Sequence, residues 1–333
     1  MSSIGIIANP ASGKDIRRLI SYATTIDNHE KVNIVKRIVL AAQGLGIKKV
    51  YIMPDTFCIG HNIAENLAKE GVLTAEIVIL EMAIEANDKD STNAARLMEE
   101  LAVDCIVVLG GDGTSRAVAK GITHTPIIPV STGTNNVYPQ MLEGTVVGMA
   151  AAATTLLEHP EGCILQDKRI DVYLNGQFVD LALVDVVLTK ELYPGAKAIW
   201  DYKNLRLMVV AICHPAAIGF STIAGCLQII EAKEDKGLLI HFGPGGRRIK
   251  APVAAGVLSE INIEKIESLA LGQRVEFEIQ AGGMLALDGE REIKVREGDT
   301  LGFSVVRKGP YRVSPREIIE SAMLQGMYSI KAT

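Results

Sequence analysis

The stretch Cys105-Ile106-Val107-Val108-Leu109-Gly110-Gly111-Asp112-Gly113-Thr114, followed by Ser115 to Lys120, decides the fold of the first half of the chain. Ile106 to Leu109 reads as a buried strand, the glycines end it, and Thr114 to Lys120 reads as a short helix. The same order recurs on either side. Ile4 to Ala8 is a strand stopped by Asn9-Pro10, and Ile127 to Val130 is a strand stopped by Ser131-Thr132-Gly133-Thr134-Asn135-Asn136.

Val50 to Met53 and Ile77 to Leu80 supply two more strands. Apolar residues at helical spacing lie between the strands: Ile16, Leu19, Ile20, Ala23 and Ile26; Val32, Val35, Ile38, Val39 and Ala42; Ile63, Ala64, Leu67 and Ala68; Ala94, Ala95, Met98 and Leu101. Ser91 is placed to cap the last of these. Strands alternating with helices predict an α/β domain whose parallel sheet is covered by helices on both faces. Ligands of such sheets bind beyond the carboxyl ends of the strands.

The pattern changes in the second half. Ile170 to Leu174 and Phe178 to Leu183 flank Asn175-Gly176, a tight hairpin turn. Val275, Phe277 and Ile279 alternate with polar residues, as do Ile293 and Val295, and Asp288-Gly289 marks another turn. The prediction is an α/β domain over residues 1–138 and a β-rich, antiparallel, sandwich-like domain over 139–309. Residues 310–333 form a C-terminal helix packing back on the first domain. Ser314, Pro315 and Glu317 give that helix a cap, a first-turn proline and a capping-box partner.

Composition narrows the function. Of 333 residues 48% are hydrophobic and 22% charged, and the net charge is −5, which argues against a large nucleic-acid surface. The cysteines at 58, 105, 163, 213 and 226 have no zinc-ligand spacing, and their scatter suits a reducing cytoplasm. The N-terminus lacks a signal-peptide pattern, and the longest apolar run, Leu207 to Phe220, is interrupted by His214-Pro215. With no basic amphipathic helix, stable membrane association is not expected.

Chemistry concentrates in three turns that a parallel sheet brings to one edge: Asn9 to Lys14, Gly110 to Thr114 and Ser131 to Asn136. Turn amides and helix N-termini favour phosphates, glycine permits close approach, and Ser12, Thr114, Thr132 and Thr134 add hydroxyls. None is a Walker A loop, since Asp15 follows Lys14, and none carries GxGxxG. Asp112 is the informative residue. A carboxylate among phosphate donors serves to accept a proton from an attacking hydroxyl or to hold Mg2+, set against a plain Asp-Gly turn. Lys14 neutralises phosphate or is simply solvated. Gly219 to Gly225 is a fourth ligand-facing turn or a helix start capped by Ser221. Tyr193, Pro194, Trp200 and Tyr202 suit packing better than an acceptor pocket, and the histidines form no cluster.

Gly110-Gly111-Asp112-Gly113-Thr114 resembles the GGDGT signature of NAD kinases and of diacylglycerol and sphingosine kinases. Asn9 to Lys14 resembles their NPxSG element. Gly133-Thr134-Asn135-Asn136 resembles the GTxN element of the lipid-kinase branch, and Asp288-Gly289-Glu290 its DGE element. The whole is similar to the bacterial ATP-NAD kinase-like group that includes acetoin catabolism protein X. The resemblance implies ATP and Mg2+, an active site in the cleft between the domains, and Asp112 as general base or metal-linked carboxylate. Ligand contacts would come from Asn9, Ser12, Gly13, Lys14, Gly110, Gly111, Gly113, Thr114, Thr132, Gly133, Thr134, Asn136, Asp185, Asp288 and Glu290. It also implies a homo-oligomer built through the β-rich domain.

The pattern departs at one point. Where NAD kinases carry an Asn-Glu or Asn-Asp pair, this chain has Val184-Asp185, and valine offers neither donor nor acceptor. Asp185 is then either a ribose ligand or a strand-end carboxylate facing solvent. Three functions compete: a kinase of NAD or NADH, which is favoured; a kinase of a lipid or other small alcohol; and a nucleotide-binding regulator without turnover.

Overall fold

The computed structural model describes residues 2–12, 24, 26–190 and 204–329, with backbone alone for 291 and 292. The helix expected around Ile16 to Ala23 and the Tyr193 to Tyr202 group lie outside the described residues.

The expected strands β1 (Ser3–Ala8), β2 (Lys49–Ile52), β3 (Glu76–Ile79), β4 (Cys105–Gly110) and β5 (Ile127–Ser131) form one sheet in the order β3-β2-β1-β4-β5, all parallel. Alternating side chains feed two cores. On one face Ile4, Ile6, Val107 and Leu109 pack under helices α1 (Asn28–Gly44) and α2 (Ile59–Lys69). On the other, Ile7, Ile106 and Val108 pack under α3 (Asp88–Glu100) and α4 (Asp112–Ala119). Two covered faces explain why these strands read as unbroken apolar runs.

Helix α4 starts at Asp112, two residues before the expected start. Gly111 is its N-cap and no side chain caps it. An aspartate in the first turn is favoured by the positive end of the helix dipole, which outweighs the poor propensity of Gly113. Asn87 rather than Ser91 caps α3, and Ser91 is buried inside that helix.

Helix α5 (Gly144–Leu156) and strand β6 (Ile164–Gln166) belong to the first sheet's body. The small-residue run in α5 has a packing cause: a Cβ on Gly148 would stand 2.4 Å from Ile38 O, so α1 and α5 meet nearly backbone to backbone. The chain crosses out of this body after Gln166. It next builds β7 (Arg169–Leu174), β8 (Gln177–Ala182), β9 (Asp185–Thr189), β10 (Leu205–Val210), α6 (Phe220–Gly225), β11 (Lys236–Ala254) and β12 (Val257–Ala270). Strands β13 (Arg274–Glu278), β14 (Gly283–Leu287), β15 (Glu290–Val295) and β16 (Thr300–Val306) complete it.

These strands make two antiparallel sheets, β12-β11-β10-β9-β14-β15 and β13-β16-β7-β8. Val172, Val186, Val209, Leu285, Leu287, Phe303 and Val305 fill the core between them, as in a sandwich. Asn175 (φ 51) and Gly176 (φ 82) make the β7–β8 turn. Strand β17 (Tyr311–Val313) then returns to pair with β5 and β6. Helix α7 (Pro315–Leu324) follows, with Ile318 and Ala322 in the first core. The expected capping box on α7 does not form. Ser314 makes no side-chain cap, and its amide is tied to Cys163 O.

Candidate active site

The carboxyl ends of β1, β4 and β5 are adjacent, so the three turns that follow them meet. Asn9 N donates to Leu109 O at 3.1 Å, and Asn9 Nδ2 donates to Thr114 Oγ1 at 3.0 Å. Thr132 N donates to Gly110 O at 3.2 Å, and Thr132 Oγ1 donates to Ser12 Oγ at 3.1 Å. Together they bound one cavity of about 600 Å³. Asn9, Ser12, Gly111, Asp112, Gly113, Thr114 and Asn136 line it from the first body, and Asp185, Asp288 and Glu290 from the second. Gly110, Thr132, Gly133 and Thr134 stand behind this lining; Thr132 is fully buried and Ser131 Oγ donates to Gly133 O. Gly13 and Lys14 lie outside the described residues.

The turns do different work. In the first, the amides of Asn9, Ala11 and Ser12 are consumed internally, on Leu109 O, Asn9 Oδ1 and Asn9 O, and Pro10 has none. Among these residues it does not offer the backbone donors that the sequence suggests. Its carbonyls are instead gathered by the fully buried Lys31 of α1, whose Nζ donates to Ser12 O at 2.7 Å and Asn9 O at 2.8 Å. The second turn carries the donor surface, because the N-terminus of α4 has no side-chain cap. The third turn orients Asp112: Val137 N and Tyr138 N donate to Asp112 Oδ1 at 3.0 and 2.8 Å. Tyr138 is fixed in turn, since its hydroxyl donates to Asp167 Oδ2 at 2.6 Å and Arg312 Nε pairs with the same carboxylate at 2.8 Å.

From the second body, Asp288 and Gly289 (φ 49 and 83) are the β14–β15 turn, so the plain turn reading is correct for the backbone. The Asp288 carboxylate does more. Oδ1 accepts from Leu183 N, Val184 N and Asp185 N at 3.1, 2.8 and 3.2 Å. It is thus a clamp on the Asp185 segment, and its burial pushes its carboxyl above the usual range against the pull of Arg116 and those amides. Asp185 does not face solvent. It is buried, borders the cavity and accepts from Ser221 N at 3.1 Å. Ser221 lies within α6 rather than capping it, because Gly219 holds the N-cap. Val184 is buried in the apolar core and does not reach the cavity.

Arg116 joins the two bodies. It is buried on α4 and faces Asp180 at 3.1 Å, Glu290 at 3.8 Å and Asp288 at 3.9 Å. A Cβ on Gly113 would stand 2.7 Å from Glu290 Oε1, so the glycine makes room for that carboxylate over the start of α4. Sequence reasoning missed Lys31, Arg116 and Tyr138. Lys31 sits on a helix face otherwise filled by Ile34, Val35 and Ile38, a signal visible only once the buried face is known. Among the described residues, no group of three or more His, Cys, Asp or Glu side chains is placed to hold a metal ion, and no helix is long and apolar enough to cross a membrane.

The architecture is that of the NAD kinase fold. Residues 4–160 match the ATP-NAD kinase N-terminal domain, and residues 168–308 match the acetoin catabolism protein X C-terminal domain. The chain is 38% identical over 303 residues to acetoin catabolism protein X of Cupriavidus necator, covering 87% of this chain and 84% of that one. It is 25% identical over 231 residues to an NAD kinase of Thermoplasma volcanium, covering 66% and 77%. Yeast NADH kinase, solved with NADH, superposes with a TM-score of 0.53 at 14% identity, over 100% of this chain and 89% of that one. The chain belongs to the acetoin catabolism protein X family.

Proposed function

We propose that the protein is an ATP-dependent kinase that phosphorylates a hydroxyl of NAD or NADH. The observation that carries this reading is the setting of Asp112. Its carboxylate is aimed by the amides of Val137 and Tyr138, beside the uncapped N-terminus of a helix and on the wall of the cavity between the two bodies. Phosphoryl transfer asks for little else than positioning and charge stabilisation. Asp112 takes the acceptor's hydroxyl proton, the acceptor oxygen bonds the γ-phosphorus, the bond from that phosphorus to the β–γ bridging oxygen breaks, and ADP leaves. Asn9, Ser12, Thr114 and Asn136 line the phosphate side. Asp185 is held where a ribose hydroxyl would donate to it, and Asp288 supports it from behind.

Mg2+ retains water and phosphate ligands and needs only one or two protein carboxylates. The donor set fits that demand through Glu290, whose part-exposed carboxylate lies against Gly113. The bound ion would screen the phosphate charge. The edge position of β12 supports assembly of copies through the β-rich half, and the five scattered free cysteines support a reducing, cytoplasmic setting.

A second reading, a kinase of a lipid or other small alcohol, is favoured by position 184, where the valine packs into the apolar core and leaves the cavity without an amide beside Asp185. Purified protein incubated with labelled ATP, Mg2+ and NAD, NADH, diacylglycerol or small diols separates the cases, beside an Asp112→Ala control. Label in NAD or NADH that the control abolishes supports the first reading. Label only in a lipid or diol supports the second, and nucleotide binding without any transfer leaves a regulator.

A further inference from the structure

The carbonyls of Asn9, Pro10 and Ser12 converge on one point, and the ammonium of Lys31 stands there. Its Nζ donates to Ser12 O at 2.7 Å, to Asn9 O at 2.8 Å and to Asn28 Oδ1 at 3.1 Å, with Pro10 O at 3.4 Å. Carbonyl dipoles that share a focus repel one another unless a donor or a cation fills it. The position is costly for a lysine. Lys31 lies in the opening turn of α1, where the helix dipole disfavours a cation, and its complete burial strips the charge of water. The gathered oxygens offset both costs, so the lysine and the shape of the turn depend on each other.

The consequence reaches the cavity through two side chains. Asn9 Nδ2 donates to Thr114 Oγ1 at 3.0 Å, and Ser12 Oγ accepts from Thr132 Oγ1 at 3.1 Å while donating to Asn9 O at 2.8 Å. Asn9 and Ser12 thus tie the first turn to the second and the third, and both line the cavity. They are also the two residues whose carbonyls lie nearest the ammonium. Drawing those carbonyls inward fixes the backbone from which the two side chains leave, and with it the width of the phosphate side.

We infer that Lys31 is the positioning residue of the phosphate turn: a tethered cation that holds Asn9 and Ser12 in place from behind and so sets the affinity for the polyphosphate chain of the nucleotide. Lys31 does not touch the nucleotide, and the proton step at Asp112 does not pass through it. This role rests on the reading of ATP as the phosphate donor and makes it more specific. Loss of the ammonium weakens ATP binding and leaves turnover at saturating ATP nearly as it was. A mononucleotide, with one phosphate to place, depends less on the turn.

Calorimetric titration of the full chain with ATP in Mg2+ and with AMP tests this, in wild type, Lys31→Met and Asn28→Ala. Lys31→Met keeps the length of the side chain and removes the ammonium. Asn28→Ala removes one oxygen from around it at a part-exposed site and gives a reading even if Lys31→Met does not fold. The expected result is that Lys31→Met binds ATP about tenfold more weakly and Asn28→Ala about two- to threefold, while AMP binds all three proteins alike. Steady-state turnover of the same proteins should show the loss in KM for ATP, with kcat within about twofold. If both variants bind ATP as tightly as wild type, or if ATP and AMP weaken by the same factor, the positioning role is overturned and the kinase reading stands. If wild type binds no ATP, the kinase reading falls and the role of Lys31 with it.

Discussion

The Tyr138 amide donates to Asp112 Oδ1 at 2.8 Å, so the carboxylate at the centre of the site is aimed by a residue of a different turn. Tyr138 is itself fixed at its other end by Asp167, which lies where the chain passes from the first body to the second. The orientation of Asp112 therefore depends on how the two bodies are joined. Tyr138→Phe removes only the hydroxyl and leaves Arg312 on Asp167. We expect a stability loss of about 1–2 kcal/mol by urea unfolding. We also expect a several-fold fall in kcat with KM for ATP unchanged. An unchanged kcat would show that the linkage has no bearing on Asp112.

Asp288 carries a different prediction, because its carboxylate is buried and accepts three consecutive amides while facing Arg116. Asp288→Ala leaves those donors and the guanidinium without it, at a cost of about 3–5 kcal/mol. Asp288→Asn keeps an acceptor oxygen and costs less. Equal unfolding midpoints for wild type and Asp288→Ala would refute the clamp.

Gly113→Ala separates stability from activity. The added Cβ meets the far end of the Glu290 side chain, which can swing away, so the stability cost stays at about 1 kcal/mol or less. Displacing that carboxylate from α4 is expected to cut turnover about tenfold. A variant with full turnover would assign Glu290 no part in the reaction.

Lys168 gives a pH signature away from the site. Burial, reinforced by the Arg307 cation, lowers its ammonium from 10.5 to about 8 while Nζ donates to Lys236 O and Glu231 O. Between those values the unfolded chain binds more protons than the folded one, so stability rises with pH across the window. Relative to Lys168→Met, the wild type should gain on the order of 2–3 kcal/mol between pH 7.5 and pH 10.5. Urea midpoints of the two proteins that stay parallel across that range would contradict it.

The fold was legible in the sequence where a local pattern maps onto one physical cause. The runs Ile4 to Ala8 and Ile106 to Leu109 are unbroken because both of their faces are buried. Asn175-Gly176 read as a hairpin because both residues take positive φ there. The GGDGT turn was legible for a related reason, since the glycine at 113 leaves the space that the Glu290 carboxylate takes over the start of α4. The long-range polar contacts were not legible. Lys31 reaches the first turn from 19 residues or more away, and Asp288 reaches Leu183 across 105. A charged residue on an amphipathic helix looks solvated until the fold shows what it faces. The amides of Asn9, Ala11 and Ser12 read as phosphate donors, because proximity in sequence does not reveal that Leu109 O, Asn9 Oδ1 and Asn9 O take them up.

Turnover of NAD by wild type and Asp112→Asn, with Mg2+ and ATP, tests the central claim most directly. Wild type is expected to form NADP, and Asp112→Asn to bind ATP normally but lose at least about a hundredfold in kcat, the usual weight of a general base. Wild-type turnover by Asp112→Asn, or no transfer from ATP to any hydroxyl by the wild type, would contradict it.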